Sequence, residues 1–138
     1  MKRNAIIGAT LGIGIAIGFA SSQLIQAQPS GYSTKQVYRG DLANLPVQEV
    51  IISASDWSPG FRLPWHVHPE GHEFAYIVEG EMTFEVDGVG TKVVKAGEAI
   101  HTPPNVAHFG RNASDKLSKT VVFRVKEKGQ PIMVEVKK

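Results

Sequence analysis

The feature that most constrains the fold is a repeated pattern of short apolar or β-branched runs, each ended by Gly, Pro, Asp or Asn. The pattern begins at Val37 and continues almost to the end of the 138-residue chain. Runs of this length, spaced at about 8–12 residues, are typical of antiparallel sandwiches and barrels. No helical period of useful length follows residue 28. The sequence therefore predicts an all-β domain, and its length leaves room for one hydrophobic core.

The clearest strand of this pattern covers residues 81–87, where polar and apolar residues alternate strictly. Because side chains of a strand point alternately to its two faces, Met82, Phe84 and Val86 should share one face. Turn residues flank this strand on both sides. The full set of expected strands lies near 48–54, 61–68, 73–79, 81–87, 91–95, 99–102, 106–111, 119–126 and 131–136.

The N-terminal segment differs from the rest of the chain. Two basic residues, Lys2 and Arg3, precede an apolar or small stretch at 5–20, and small Ala27 follows a polar group. This order is the pattern of an export signal cleaved after Ala27. The alternative is an uncleaved hydrophobic helix that anchors the domain, although a membrane-spanning helix needs about 20 apolar residues. Both interpretations predict a domain outside the cytoplasm, in the periplasm or the extracellular space, with no membrane contact except through 5–20.

The predicted organisation is a signal peptide or anchor at 1–27, a linker at 28–36 and a β-domain at 37–138. The chain has 15 Lys and Arg against 13 Asp and Glu, a net charge of +2. Lys2 and Arg3 account for that excess, so residues 28–138, which include the β-domain, carry no net charge. A neutral domain gives no support for nucleic-acid binding.

The chain contains no cysteine, which excludes disulfides, thiolate metal sites and cysteine nucleophiles. Any bound metal must therefore be held by nitrogen and oxygen atoms. Five histidines are present, and all of them lie between residues 66 and 108.

Three of these histidines and one carboxylate are spaced as a metal site would require. His66 and His68 are two residues apart, so on a strand both imidazoles point to the same side. Glu73 follows a segment able to turn the chain and can face the pair from the adjoining strand. His108 follows a second turn, at the head of another strand. Three imidazoles and a carboxylate suit one divalent Fe, Mn, Ni, Zn or Cu ion.

The same residues carry a resemblance to the cupin superfamily. The first motif of that family is matched by Gly60-x5-His66-x-His68-x4-Glu73-x6-Gly80. The second is matched by Gly97-x5-Pro103-x-Asn105-x2-His108-x3-Asn112, except that Asn105 replaces the usual glycine. Asn tolerates the left-handed backbone region better than most residues, so the turn should form. Only residues 81–96 separate the motifs, which resembles a small single-domain cupin.

The resemblance implies a jelly-roll, or double-stranded β-helix, barrel with one divalent transition metal near its open mouth. It assigns the metal ligands to His66, His68, Glu73 and His108. It also implies a small-molecule ligand or substrate and a homodimer. The function expected is that of a metal-dependent enzyme with dioxygenase-like chemistry on a small oxygen-chelating substrate. The alternative is a non-catalytic cupin that binds or senses a metal or small ligand.

Other polar residues near these motifs have no assigned catalytic role. His72 and Glu70 lie between the ligands and could act as an acid or base, or belong to a solvated loop. Arg62 shares strand parity with His66 and His68 and could reach an anionic substrate, although an exposed arginine is the commoner outcome.

Overall fold

The computed structural model describes residues 31–138, which form two antiparallel sheets and contain no helix long and apolar enough to span a membrane. The expected signal peptide or anchor helix at 1–27 lies outside the described residues. Ten strands are formed: β1 (Tyr32–Leu42), β2 (Leu45–Trp57), β3 (His66–Val67), β4 (Gly71–Glu79), β5 (Glu81–Val86), β6 (Gly90–Lys95), β7 (Ala99–Thr102), β8 (His108–Arg111), β9 (Ser118–Glu127) and β10 (Val134–Glu135).

Each sheet contains five strands. The first has the order β1-β2-β9-β4-β7, and the second has the order β10-β3-β8-β5-β6. The inward side chains of both sheets supply one core: Trp57, Ala75, Ile77, Met82, Phe84, Val86, Val94, Ile100 and Val122. The expected all-β class is thereby confirmed for the described residues. Met82, Phe84 and Val86 do share a buried face, as the alternation of β5 predicts.

The alternation of β4 determines which side chains enter the interior. Its residues are alternately buried and exposed from Gly71 to Ile77. Glu73 is therefore inside the barrel, whereas His72 and Phe74 lie on the outer surface. Neighbouring residues of one strand thus belong to two chemically different surfaces.

The N-terminal part of the described chain differs from expectation. Residues 32–36 were expected to be linker, but they form the first part of β1. This strand pairs with β2 along its whole length, from Tyr32 opposite Trp57 to Leu42 opposite Leu45. β1 is an edge strand and is exposed along most of its length, so it has no apolar alternation to mark it in the sequence.

The segment before the first histidines is also less regular than expected. Of the strand predicted at 61–68, only His66 and Val67 belong to β3, and Arg62 makes an isolated bridge to Arg111. Pro64 lacks the backbone N–H that a continuous ladder would need. The strand expected at 131–136 is similarly reduced to Val134–Glu135.

An aromatic cluster joins β1 to the barrel. Tyr32 stacks on Phe61 with ring centroids 5.2 Å apart and meets Trp57 edge-on at 4.7 Å. The Trp57 indole N–H donates a 3.0 Å hydrogen bond to the Thr120 hydroxyl on β9. Tyr32 and Trp57 also line a small cavity inside the barrel.

Candidate metal centre

Three histidine side chains meet on the inner face of the second sheet. His66 lies on β3 and pairs across the ladder with His108, the first residue of β8, while His68 follows β3 directly. All three are at most 2% exposed, and their ring centroids lie 4.3–5.1 Å apart. One nitrogen from each lies within 4.8 Å of the others, a spacing that could hold one metal ion.

Backbone carbonyl groups fix the orientation of each imidazole. His66 Nδ1 lies 2.8 Å from Pro64 O, His108 Nδ1 lies 2.9 Å from Val106 O, and His68 Nδ1 contacts the carbonyl oxygen of Ile132. A carbonyl oxygen can only accept, so each Nδ1 must carry the donated proton. The tautomer that carries its proton on Nδ1 presents Nε2 as the lone-pair donor, which is the usual arrangement of metal-binding histidines.

Glu73 extends from β4 toward the same histidines. Its Oε2 lies 2.8 Å from His68 Nε2, and its Oε1 lies 3.5 Å from His108 Nε2. Burial disfavours the charged carboxylate, but the Glu73 pKa lies well below its usual range, and the positive charge of Arg124 is the main cause that opposes burial. The site therefore contains an ionised carboxylate.

These atoms lack the hydrogen bonds that burial normally demands. Within residues 31–138, His68 Nε2, His108 Nε2 and Glu73 Oε2 are buried without a hydrogen-bond partner of good geometry. With Nδ1 protonated, neutral imidazoles bring acceptor atoms against a carboxylate, which is also an acceptor. A central cation would satisfy all of them at once, so the donor set fits a metal ion.

The titration of His66 is also altered by burial. Burial lowers its pKa from 6.5 to about 4, and the nearby His108 and His68 act in the same direction. The imidazole therefore stays neutral at neutral pH. Neutral imidazole is the form that binds metal, so this residue needs no deprotonation before binding.

The structure adds one charged residue that the sequence analysis missed. Arg124 on β9 faces the interior, and its Nη2 lies 2.5 Å from Glu73 Oε2. The strand at 119–126 was expected, but Val121 and Phe123 lie on its outer face, and only Val122 shares the inner face with Arg124 as an apolar residue that lines the cavity. Charged residues at alternate positions, Arg124 and Lys126, were the signal that could have indicated an ionic interior.

A small cavity adjoins the histidines. Its volume is about 20 Å³, enough for one water molecule or one ion. The walls are mainly aromatic and aliphatic, with charged or polar groups on one side. The lining residues are Tyr32, Trp57, Leu63, His66, Glu73, Ala75, Phe84, His108, Gly110, Thr120, Val122 and Arg124.

Arg62 and Glu70, two of the neighbouring residues considered from the sequence, are not brought into this cavity. Arg62 is exposed, and its guanidinium carbon lies 3.9 Å from the centre of the Phe109 ring. Glu70 is exposed and accepts a 3.0 Å hydrogen bond from the Asn105 side chain. That bond joins the two loops that carry the histidines.

His72 and His101 lie on the outer face of the first sheet rather than beside the metal-ligand candidates. His72 Nδ1 and His101 Nε2 are 2.9 Å apart, and both side chains are exposed. The alternation of β4 explains the separation, because His72 precedes inward-facing Glu73 by one residue. Neither residue is placed to act on a ligand bound among His66, His68 and His108.

The fold and the buried cluster together define a class of small antiparallel double-sheet barrels with histidine and carboxylate side chains inside. Residues 55–124 match the family described as Cupin domain, which is just over half of the chain. The chain belongs to the cupin domain family.

Curated relatives extend this comparison. Germin-like protein 3-5 of Oryza sativa subsp. japonica is 27% identical over 105 residues, covering 71% of this chain and 46% of that protein. Oxalate oxidase GF-3.8 of Triticum aestivum is 26% identical over 114 residues, covering 75% and 51%. Polyketide synthase CurC of Streptomyces cyaneus is 35% identical over 63 residues, covering 46% and 40%. The chain thus spans about half the length of the relatives it matches.

Solved structures show the same fold. An oxalate oxidase in complex with the substrate analogue glycolate has a TM-score of 0.61 and 24% identity, covering 80% of this chain and 57% of that one. The protein TT1209 from Thermus thermophilus also has a TM-score of 0.61, at 21% identity, covering 72% and 87%. At this level of identity the similarity shows the architecture.

The lowered pKa of His66 predicts a pH-dependent stability of the metal-free protein. The unfolded chain binds a proton at this residue below pH 6.5, whereas the folded chain does so only near pH 4. The free energy of unfolding should therefore fall as the pH falls, by about 1.5 kcal/mol between pH 6.5 and pH 5. Urea denaturation across this range measures the effect.

The control for this prediction is His66→Asn, which removes the titrating group and should flatten the pH dependence. Above pH 5 the Glu73 carboxyl contributes little to the pH dependence of the unfolding free energy. Its pKa lies below its usual value in the folded protein and near 4.5 in the unfolded chain. An equal slope in the wild type and in H66N would contradict the assignment to His66.

Proposed function

We propose that this cupin binds one divalent transition metal through His66, His68, Glu73 and His108, and that it is a metal-dependent enzyme. The reaction class we propose is dioxygenase-like oxidation of a small oxygen-chelating substrate. The supporting observation is the convergence of imidazole Nε2 atoms whose Nδ1 atoms are bonded to backbone carbonyls. The similarity to oxalate oxidases over 75% of the chain supports a small carboxylate as one substrate class to test.

The chemistry supplied by a bound divalent ion is Lewis-acid polarisation of an oxygen ligand and, with Fe or Mn, access to dioxygen. The protein residues have separate tasks. Carbonyl groups of Pro64 and Val106 hold the imidazoles in one orientation, which reduces the reorganisation needed on binding. The aromatic walls formed by Tyr32, Trp57 and Phe84 restrict water.

A second candidate is a non-catalytic cupin that binds or senses a metal or small ligand. One observation favours it: among the described cavity residues, Glu73 is the only carboxylate, and it is already paired with Arg124. The Tyr32 hydroxyl is likewise engaged with the Ser55 hydroxyl at 3.2 Å. No independent acid or base in this lining remains available for proton transfer.

Removal of one proposed ligand should abolish metal binding. We expect about one metal ion per wild-type chain after purification without a histidine tag, and His68→Ala should reduce this to a small fraction because one donor atom is lost. Elemental analysis of dialysed protein gives the stoichiometry. The matched control is His101→Ala, which removes an exposed histidine of the outer face and should leave the metal content unchanged.

Oxygen uptake separates the two candidate functions. Protein loaded with Fe(II) or Mn(II) is supplied with oxalate, catechols, flavonols, β-diketones and thiols, and consumption of dioxygen is recorded. Turnover that disappears in H68A supports the enzyme. Tight ligand binding without turnover supports the non-catalytic alternative, and an absence of metal in the wild type contradicts the proposed metal-dependent enzyme.

We also propose that the chain forms a homodimer through an apolar outer face of the first sheet. This face consists of Phe74, Tyr76, Val78, Ala99, Val121 and Phe123. Four of its side chains are 40–50% exposed, which is unusual for large apolar groups at the centre of a sheet. A second copy fits because a two-fold axis places the same apolar surface against itself.

A charge placed in this outer face should dissociate the dimer. We expect light scattering after size-exclusion chromatography to give a dimer for the wild type and a monomer for Phe123→Glu, because burying an unpaired carboxylate is unfavourable. Val89→Glu is the control, since Val89 is 62% exposed in the turn between β5 and β6. A monomeric wild type would contradict the proposal.

Export from the cytoplasm is a further proposal, and it rests on the sequence of residues 1–27. A basic start, an apolar run and small Ala27 are the features that support it. The intact mass of the protein recovered outside the cytoplasm distinguishes cleavage after Ala27 from a retained anchor.

A further inference from the structure

Two histidines outside the buried cluster form a pair on the outer face of the first sheet. His72 extends from β4 and His101 from β7, and both side chains are exposed. The His72 Nδ1 atom lies 2.9 Å from the His101 Nε2 atom. Because β7 is an edge strand of its sheet, the pair lies at the rim of the outer face and is accessible to solvent.

Phe74 holds the two imidazoles in place. It lies opposite His101 in the β4–β7 ladder, and the two rings stack with centroids 4.5 Å apart and planes 12° apart. The centroid of the His72 ring is 6.3 Å from that of Phe74 and 5.1 Å from that of His101. Side chains that are already ordered lose less conformational entropy when they bind a ligand.

The contact between the two ring nitrogens requires one donor and one acceptor. In a pair of neutral imidazoles, the N–H of one ring donates to the lone pair of the other ring. Because both rings are exposed, the second nitrogen of the donating ring can carry its proton instead. The pair then presents two lone pairs side by side without losing a proton.

The separation of these nitrogens suits one transition-metal ion. Two nitrogens bound to one ion at about 2.0–2.1 Å lie about 2.9 Å apart when the angle at the ion is a right angle. Right angles are the geometry of tetragonal Cu(II), which also binds nitrogen donors more tightly than the other divalent ions of its row. A turn of the two exposed rings brings their lone pairs together on the ion.

The outer pair is separate from the buried cluster. His72 and Phe74 lie on the outer face of β4, and Glu73 between them points into the barrel. His101 likewise lies outside, between the buried residues Ile100 and Thr102 of β7. Substitution of either outer histidine therefore removes no side chain from the cavity.

We propose that His72 and His101 form a second metal site, which binds one exchangeable Cu(II) ion on the surface of the chain. This inference does not rest on the buried histidines or on Glu73. Two protein ligands leave the other coordination positions to water, so the ion exchanges with solvent and dialysis removes it. The metal that dialysed protein retains then belongs to the buried cluster.

Calorimetric titration of the full chain with Cu(II) tests this site. The background is His68→Ala, which lacks one of the proposed buried ligands. H68A should bind one Cu(II) ion per chain. Adding His72→Ala or His101→Ala should weaken this binding at least about 10-fold, because two linked donors hold one ion much more tightly than a single donor does.

The matched control combines His68→Ala with His108→Ala, which removes a second buried histidine and keeps the outer pair. Its affinity for Cu(II) should equal that of H68A. The inference is overturned if removal of His72 or of His101 leaves the affinity unchanged. It is also overturned if the H108A control loses as much affinity as the variants of the outer pair.

Paramagnetic broadening locates the ion without depending on the folding of the double variants. A substoichiometric amount of Cu(II) is added to isotope-labelled H68A, and the amide NMR signals are recorded. The signals of His72, Phe74 and His101 should broaden first, because the unpaired electron acts on nearby nuclei. Broadening centred on His66 and His108, or on no single region, overturns the inference.

Failure of the buried site is distinguished from failure of the outer pair. The metal content of the dialysed wild type reports on the buried site, whereas Cu(II) titration of H68A reports on the outer pair. A wild type that retains no metal contradicts the proposed enzyme, and the result expected for His72 and His101 stays the same.

Discussion

The central constraint on this protein is the burial of hydrogen-bond acceptors that face one another inside an apolar barrel. The Nε2 atoms of His68 and His108 and the Oε2 atom of Glu73 have no hydrogen-bond partner of good geometry among the described residues. Such an arrangement is unfavourable without a cation. The surrounding contacts maintain it: carbonyl groups hold the imidazole rings, and Arg124 holds the carboxylate. Stability and binding chemistry are therefore coupled in the same few residues.

Strand alternation distributes the functional chemistry of the chain between two surfaces. On β4, Glu73 enters the interior while His72 and Phe74 remain outside, and on β9, Arg124 enters while Phe123 is 40% exposed. Charged residues therefore point inward and apolar residues outward over part of the first sheet. This inversion is understandable if the interior binds a charged ligand and the outer face meets another protein surface.

Much of the fold and of the histidine cluster could be predicted from local signals. Strict alternation identified β5, and the short spacing of His66 and His68 placed both imidazoles on one side. Asn105 adopts a φ of 62°, so it takes the left-handed turn expected of it in place of glycine. Other features gave no such signal. β1 is an exposed edge strand, and β9 carries apolar Val121 and Phe123 on its outer face, so a rule that apolar residues point inward does not find Arg124.

The sequence by itself determined the all-β class, the nitrogen and oxygen character of any metal site, and which histidines cluster inside the barrel. These properties depend on residue type and short-range spacing, which a linear pattern retains. Only the tertiary structure decided the partner of Glu73, the exclusion of Arg62 and His72 from the cavity, and the exposure of Phe123. Those outcomes depend on strand register and on which face of each sheet is covered, and a one-residue change of parity reverses them.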